Sequence, residues 1–581
     1  MIRALMLFLC AVAAGAQQTK WTLPLDGPGH SATLFPNEQS PTAVAIAAHQ
    51  SAMLVDGRGN TVWKTSFDTF VGSPITVADL NGDARPELTL ALANGTVVCL
   101  DENGRIVWQR SFNTPSGGYK HLVAADLLVN EGTELLVGFD DGWLNCLDAQ
   151  GDLLWRFHGD RGRVGGIAVA DVDLDGEPEI VFGTDNGHIY CLAATGHVEW
   201  RYDELAPYGR SGPNIADANN DGKPEVYITR SNVGNATCLM ALDAATGTFL
   251  WRTNDIQQGY VSNAIVDLDG DGALEIVHAD KGNFIYCENA DGTRRWRTEL
   301  AGRGQYWAPA VADVDGDGGL EIIASIRDAS ATTGASVFVL SADGAIESTI
   351  KAGGSANNAP VVGDLDSDGA LELIVLGERP NEAHCFTWNK TGRVAWPSVR
   401  GQSSMTANGN VALGAPGNRS VPNAARRIPA TQPAYWGANE WEIALGEPAV
   451  EKGFLVFSVS NSDGAKEHRI AEVNAGDTDC RIEWAYAIDG RVRVEARLHE
   501  GAQSRHVIND VIKPEPIAAS ALDSEVDLSL GLDKSHFLVS LLDSLIAEKS
   551  RLRAMKTSGV SAAARADASS RFRKSADRFR A

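Results

Sequence analysis

The chain reads as an all-β protein: a β-propeller of eight blades, with seven as the alternative, followed by a small β-sandwich-like domain and a helical, basic tail. Three observations lead there. An acidic nonapeptide recurs seven times at intervals of 45 to 51 residues, and a Gly-x-x-x-Trp signal interleaves with it. Between these markers run short β-branched stretches parted by Gly, Asn and Asp, with no helical period. A period of this length signals a propeller or solenoid, and four strands per unit repeated around an axis make a propeller.

In chain order, MIRALMLFLCAVAAGAQQ opens with one Arg, an apolar run and Ala14-Gly15-Ala16. That is the pattern of a secretory signal over residues 1–16, cleaved to leave Gln17 first. Leu9, bulkier than the residue a lipoprotein signal prefers, argues against a lipid on Cys10. No later segment offers the ~18 uninterrupted apolar residues of a membrane helix. The mature chain is therefore expected to be secreted, extracellular or periplasmic. Residues 17–39 read as a lead-in.

The propeller is expected over 40–414. Its acidic copies are DLNGDARPE from Asp79, DLLVNEGTE from Asp126, DVDLDGEPE from Asp171, DANNDGKPE from Asp217, DLDGDGALE from Asp267, DVDGDGGLE from Asp313 and DLDSDGALE from Asp364. Each precedes a β-rich run. The second signal appears as GRIVW, GDLLW, GHVEW, GTFLW, GTRRW and GRVAW, with GAIES in the sixth unit and an extra GNTVW ending at Trp63. These tryptophans are expected between neighbouring sheets, as core. Residues 40–67 supply only three strands of a further blade; SMTANGNVALG, 404–414, is expected to supply the fourth and close the ring without free edges.

The net charge of -25 over 581 residues argues against nucleic acid or an anionic membrane as partner and favours cations or a role needing high solubility. The acidic copies say which. Oxygens at positions 1, 3 and 5, a Gly at 6 and a carboxylate at 9 can wrap one chain segment around a hard cation, and Ca²⁺ accepts 6–8 oxygens at about 2.3–2.6 Å. An EF-hand would need its Glu at position 12 and flanking helices; here the Glu is at 9, between strands. The full ligand sets are Asp171/Asp173/Asp175/Glu179, Asp267/Asp269/Asp271/Glu275, Asp313/Asp315/Asp317/Glu321 and Asp364/Asp366/Asp368/Glu372. Asp217/Asn219/Asp221/Glu225 offers a neutral Asn oxygen, and Asp79/Asn81/Asp83/Glu87 has Ala84 in place of the Gly. The copy at Asp126 puts Leu128 where a ligand belongs and is expected to be empty. About four to six calcium sites follow.

These repeats resemble the FG-GAP/VCBS repeats of integrin-α-like β-propellers, and the interleaved Gly-x-x-x-Trp units resemble the repeats of PQQ-like propellers. The resemblance covers 40–414. It implies calcium in the acidic loops and a ligand face opposite them. On that face the segments before the acidic copies offer Tyr119, Tyr208, Arg210, Tyr260, Arg303, Tyr306 and Trp307; they are candidate ligand contacts or, equally, plugs of the central channel. Aromatic faces stack on sugars or peptides, and Arg clamps carboxylates.

Without Cys10 the cysteines number seven, an odd set, and four of them lie five residues before a repeat glycine: Cys99, Cys146, Cys191 and Cys287. Repeat-equivalent positions are held beyond disulfide reach, so they read as small apolar fillers. The proline-rich stretch 415–433 is a linker. Residues 434–512 alternate again, as a small antiparallel β domain whose Trp436, Trp441, Trp484 and Tyr486 form its core or a sugar platform. In the tail, 513–581, residues 550–581 carry nine Lys/Arg against two Asp/Glu, as a solvated tail or an electrostatic anchor.

No HExxH, GxSxG or GxxxxGK[ST] motif is present and no catalytic residue is assigned. PQQ-like repeats without an adjacent Cys-Cys pair speak for blade architecture and against a quinone dehydrogenase. The expected function is a calcium-stabilised binding or adhesion module for a glycan or protein. The alternative is a calcium-dependent polysaccharide lyase, since the chain resembles rhamnogalacturonan lyases built as calcium-loaded eight-bladed propellers.

Overall fold

The computed structural model describes residues 17–397 apart from 37–41, 113–119, 129–131, 160–161, 204–211, 231–237, 254–255, 257–261, 281, 302–306, 327–335, 353–357 and 379. Within 437–512 it describes 437–444, 448–450, 452–461, 466–477, 479–486, 492–500 and 503–512. The signal segment 1–16, the stretch 404–414, the linker 415–433 and the tail 513–581 lie outside the described residues. Every described regular element is a strand.

Eight four-stranded antiparallel blades form the ring. Blades 1 to 7 span 29–66, 76–111, 121–158, 164–203, 214–252, 264–299 and 310–351, and blade 8 joins 361–391 to the strand Gln18–Pro24. Inner and middle strands are buried on both faces, as EIVFGT in Glu179–Thr184 is throughout. This is why they read as continuous apolar runs.

Closure differs from the expectation. Gly29–Phe35, inside the supposed lead-in, is the innermost strand of blade 1, a place expected for 404–414. Its burial at all but the second and last positions explains the choice. Gln18–Pro24 then becomes the outermost strand of blade 8. The last Gly-x-x-x-Trp copy is displaced in consequence: Arg393–Trp396 pairs with the inner strand Ala310–Asp313 of blade 7.

The tryptophans staple blade to blade. Trp155 of blade 3 is buried and donates its Nε1–H to Ala194 O of blade 4 at 2.9 Å. A Cβ on Gly196 would fall 2.7 Å from its ring, so only glycine admits the contact. The same bond recurs from Trp63 to Glu102, Trp108 to Ala149, Trp200 to Ala244, Trp251 to Ala290 and Trp296 to Ala342. Trp21 of the N-terminal strand extends the series by binding Gly57 O at 3.1 Å. Opposite five of these rings sit Cys99, Cys146, Cys191, Cys287 and Cys385. All are buried free thiols, small enough to leave the indole its room.

The C-terminal segment does not stand apart. Lys466–Val473 pairs in parallel with Leu153–His158, the outer strand of blade 3, and Gly453–Asn461, Val492–Glu500 and Gln503–Ile512 continue that sheet. Gly437–Ala444 and Asp479–Tyr486 form a separate two-stranded ribbon. Arg201 of blade 4 seals the junction, binding Glu472 Oε1 at 2.8 Å and lying 4.2 Å over the Phe454 ring, which stacks on His499. An otherwise open edge of blade 3 is covered.

Candidate metal centres

Each acidic copy joins the inner strand of its blade to the second strand, and the six copies described throughout share one pattern. The position-9 Glu lies at or near the start of the second strand and is buried; Glu372 and Glu134 are 0% and 1% exposed. Its Oε2 accepts the N–H of position 2, at 2.8 Å from Leu80, 2.9 Å from Val172 and Leu268, and 2.8 Å from Val314 and Leu365. That position-2 side chain is itself a buried apolar plug. The first Asp turns Oδ2 onto the N–H of position 6: Gly176 and Gly222 at 3.0 Å, Gly272 and Gly318 at 3.1 Å, Gly369 at 2.9 Å. Position 6 needs a left-handed backbone, with φ from 85° to 94° at these glycines. Ala84 takes the same turn at φ 65°, and its N–H reaches Asp79 Oδ2 at 2.8 Å.

The remaining oxygens converge. Asp171, Asp173 and Glu179; Asp267, Asp269 and Asp271; Asp313, Asp315 and Glu321; and Asp364, Asp366 and Glu372 each bring one oxygen within 4.8 Å of the others, a spacing that could hold a metal ion. Burial first, and the loop aspartates next, push Glu179 and Glu321 up to about 8. Burial of several carboxylates together is unfavourable without a cation, and a divalent ion turns the repulsion into attraction.

Position 5 of three loops stands outside these groups. Asp175, Asp317 and Asp368, expected as ligands from the sequence, are not among the residues grouped above. All three are exposed, and each spends its Oδ1 on the position-7 N–H of its own loop. Glu177 donates to Asp175 at 2.8 Å, Gly319 to Asp317 at 2.7 Å and Ala370 to Asp368 at 2.8 Å. Such an Asx turn fixes one oxygen of the carboxylate along the loop and leaves the other available. In the Asp267 copy the omitted residue is instead Glu275, whose Oε1 is held by Arg295 at 2.7 Å. There Asp271 joins the group while keeping the turn bond from Ala273 at 2.8 Å.

The other copies differ at position 3. Asn219 accepts the Asp221 N–H at 2.8 Å through Oδ1, so Nδ2 faces Glu225 Oε1 at 3.2 Å and a hydrogen replaces the oxygen a cation would need. Asn81 likewise donates to Glu87 Oε1 at 2.8 Å. Their position-5 partners follow the same turn, Asp83 accepting from Arg85 and Asp221 from Lys223 at 2.9 Å. In both loops the Asn amide is turned toward the position-9 carboxylate in place of a second carboxylate oxygen. At Asp126, Leu128 is buried and fills the position, while Glu134 accepts from Leu127 and Leu128.

Two residues absent from the sequence-level ligand list also enter these loops. Arg295 binds Asp269 Oδ2 at 2.5 Å and Glu275 Oε1 at 2.7 Å, and Lys20 binds Asp366 Oδ2 at 2.5 Å and Glu372 Oε1 at 2.8 Å. The signal that could have found them is a basic residue immediately before the outer-strand Trp, at Arg295-Trp296 and Lys20-Trp21.

Of the residues expected on the opposite rim, Trp307 is described and half-buried, with its Nε1 enclosed and without a hydrogen bond. Tyr119, Tyr208, Arg210, Tyr260, Arg303 and Tyr306 lie outside the described residues.

Residues 267–324 match the family model of the FG-GAP-like repeat. Residues 93–232 match the PQQ-type model described as outer membrane protein assembly factor BamB. The chain carries both kinds of propeller repeat. A third model, the lambda-carrageenase beta-propeller domain, matches residues 49–117. No curated protein matches the chain. Similar solved structures include BamB from Moraxella catarrhalis, 14% identical over 64% of this chain and 98% of that one, TM-score 0.46. Others are Sqt1 of Saccharomyces cerevisiae, 12% identical over 62% and 99%, TM-score 0.46, and the V. cholerae biofilm matrix protein Bap1, 14% over 71% and 97%, TM-score 0.38. Among the described residues no helix is long and apolar enough to cross a membrane.

Proposed function

We propose that this is an exported, calcium-stabilised propeller that binds a polysaccharide or protein ligand on the rim opposite its acidic loops. The observation that carries the reading is a division of labour between the two ends of the sheets. Acidic loops and Trp–Gly staples share one end and are tied together, as where Leu274 N–H reaches Ala218 O at 2.9 Å and Thr133 Oγ1 reaches Asp79 O at 3.0 Å. Outer strands end, and the next inner strands begin, at the other end. The connections that break the repeat are therefore free to vary, and loops on a rigid scaffold carry specificity. Calcium is the cation whose oxygen preference fits carboxylate-only loops. Export is supported by the signal-type start.

The match to a carrageenase propeller domain favours polysaccharide over protein as the ligand. Affinity electrophoresis in gels containing pectin or lambda-carrageenan tests this directly, with retardation expected. Replacing Tyr260, Arg303 and Trp307 together by Ala should remove at least tenfold of the affinity and leave calcium binding intact; unchanged retardation would move the site elsewhere. The alternative is a calcium-dependent polysaccharide lyase, and release of unsaturated, ultraviolet-absorbing oligosaccharide from pectin would establish it over simple binding. The basic segment 550–581 is proposed as an electrostatic anchor, so its deletion should abolish salt-sensitive association with an acidic polymer.

A further inference from the structure

We infer that the acidic loops fall into two classes, and that the residue just before the outer-strand Trp decides which loops take a divalent ion. This deepens the calcium reading and rests on it.

In every blade the register of the outer strand slips by one residue, and the slip falls on the residue before the Trp or its equivalent. In blade 6, Cys287 pairs with Trp296 and Glu288 with Arg294, leaving Arg295 bulged. In blade 8, Cys385 pairs with Trp21 and Phe386 with Thr19, leaving Lys20 bulged. A bulge re-aims its side chain, and here both cations point into the acidic loop of their own blade. Arg295 bridges Asp269 and Glu275, and Lys20 bridges Asp366 and Glu372, at 2.5 to 2.8 Å. Those oxygens are position 3 and position 9, the pair a calcium ion would also span at about 2.3–2.6 Å. Side-chain cation and metal therefore exclude each other. Of the four loops whose oxygens converge, two already hold a positive charge belonging to the chain.

The same bulge in the other two carries the opposite sign. Cys191 pairs with Trp200 and Leu192 with Val198, leaving Glu199 bulged in blade 4. Val339 pairs with Ser348 and Leu340 with Ile346, leaving Glu347 bulged in blade 7. Burial, and then the charges of Asp315 and Asp317, raise the pKa of Glu347, and the strand register puts Glu199 at the same bulge in blade 4. The bulge that presents a cation to the loop in blades 6 and 8 presents a carboxylate in blades 4 and 7. In blade 4, Asp171 is 7% exposed and its Oδ1 is enclosed without a hydrogen bond of normal geometry, with only partial support from the Leu174 N–H. Where position 3 is Asn or Leu, in blades 2, 3 and 5, the bulged residue is apolar: Val107, Leu154 and Leu250. The charge at the bulge follows the need of the loop. Blades 4 and 7 take the divalent ions; blades 6 and 8 are neutralised from within, and in blade 8 the internal cation also fastens the ring-closing strand to its neighbour.

Calorimetric titration of the chelator-stripped full chain with calcium tests this. The wild type should bind two ions, Arg295→Gln three, and Glu347→Arg, which transplants the blade 6 arrangement, one. Lys20→Gln should also gain an ion; if it does not fold, Arg295→Gln and Glu347→Arg decide alone. Four or more ions in the wild type, unchanged by Arg295→Gln, would overturn the two classes while leaving calcium binding standing. No ion in the wild type and one in Arg295→Gln would uphold the built-in cation and overturn the metal reading of blades 4 and 7. No ion in either protein would overturn both.

Discussion

Single side chains in the acidic nonapeptide separate loops that need a cation from loops that do not. An Asp and an Asn at position 3 present the same first oxygen to the position-5 N–H, at 2.8 Å for Asn219 and 3.2 Å for Asp173. They differ only in the second atom, which meets Glu Oε1 as a donor in one case and as a second anion in the other. Asn219→Asp should therefore lower stability by about 1–3 kcal/mol in chelator, the cost of a buried unsatisfied charge contact, and calcium should restore it; a chelator melt unchanged from wild type would refute this. Ala84 offers a cleaner test of backbone strain. It holds φ 65° where five other loops have Gly, and equivalent glycines such as Gly176 face open space. Ala84→Gly should stabilise by about 1 kcal/mol through relief of left-handed strain, measured as a raised denaturation midpoint at constant slope.

Strands are held into blades by registry, and blades to each other by indoles. Trp155→Ala should cost about 3–5 kcal/mol, because a fully enclosed ring and its bond to Ala194 disappear together. Gly196→Ala should cost a comparable fraction with the indole intact, since the new Cβ meets the ring at 2.7 Å; equal melting of wild type and Gly196→Ala would refute the staple. The sheet that extends blade 3 has its own sensitivity. His499 is stacked on Phe454 at 4.8 Å, and burial, then Arg497 and Arg201, push it down to about 4 from an ordinary 6.5. A depressed histidine is held neutral by the fold, so below the free value the undocked form takes up the proton first. Docking should weaken as pH falls from about 6.5 to about 4. Protease cleavage of the C-terminal sheet in that window, absent in His499→Phe, is the measurement.

The ring as a whole gathers more negative charge than it can hold unaided. Chelator should lower its melting temperature, since an ion at a hundredfold excess over its Kd adds about 2.7 kcal/mol per site. Without metal, Glu179 and Glu321 titrate near 8 against an ordinary 4.5. Raised carboxylates favour the fold when protonated, so the stripped protein should lose stability as pH rises from about 4.5 to about 8. With calcium, which binds the ionised form, the trend should reverse. Identical pH profiles with and without calcium would show that these loops hold no ion.

Much of this architecture is legible in the sequence because a propeller repeats one small problem many times. The spacing of Asp79, Asp126, Asp171 and their successors, and the alternation of acidic loop with Gly-x-x-x-Trp, specify four strands per unit and the one end where the acidic loops gather. They do so locally, since each turn is closed by its own glycines and aspartates. That local closure engages the position-5 carboxylates too, as where Asp175 and Asp368 each hold their own turn. Ring closure was not legible. Gly29–Phe35 and Gln18–Pro24 lie next to each other in the chain, yet enter different blades at opposite edges, and no local pattern distinguishes inner from outer. Nor were Lys20 and Arg295 as counter-ions. Lys20 stands 346 residues from Asp366, and only the pairing of the first strand with the last blade brings them together. Arg295 is 26 residues from Asp269, but its direction comes from a bulge that a period-two reading of the strand cannot contain. Which residues can ligate is written in local chemistry; which loops still need a metal depends on charges that the folded ring brings from elsewhere in the chain.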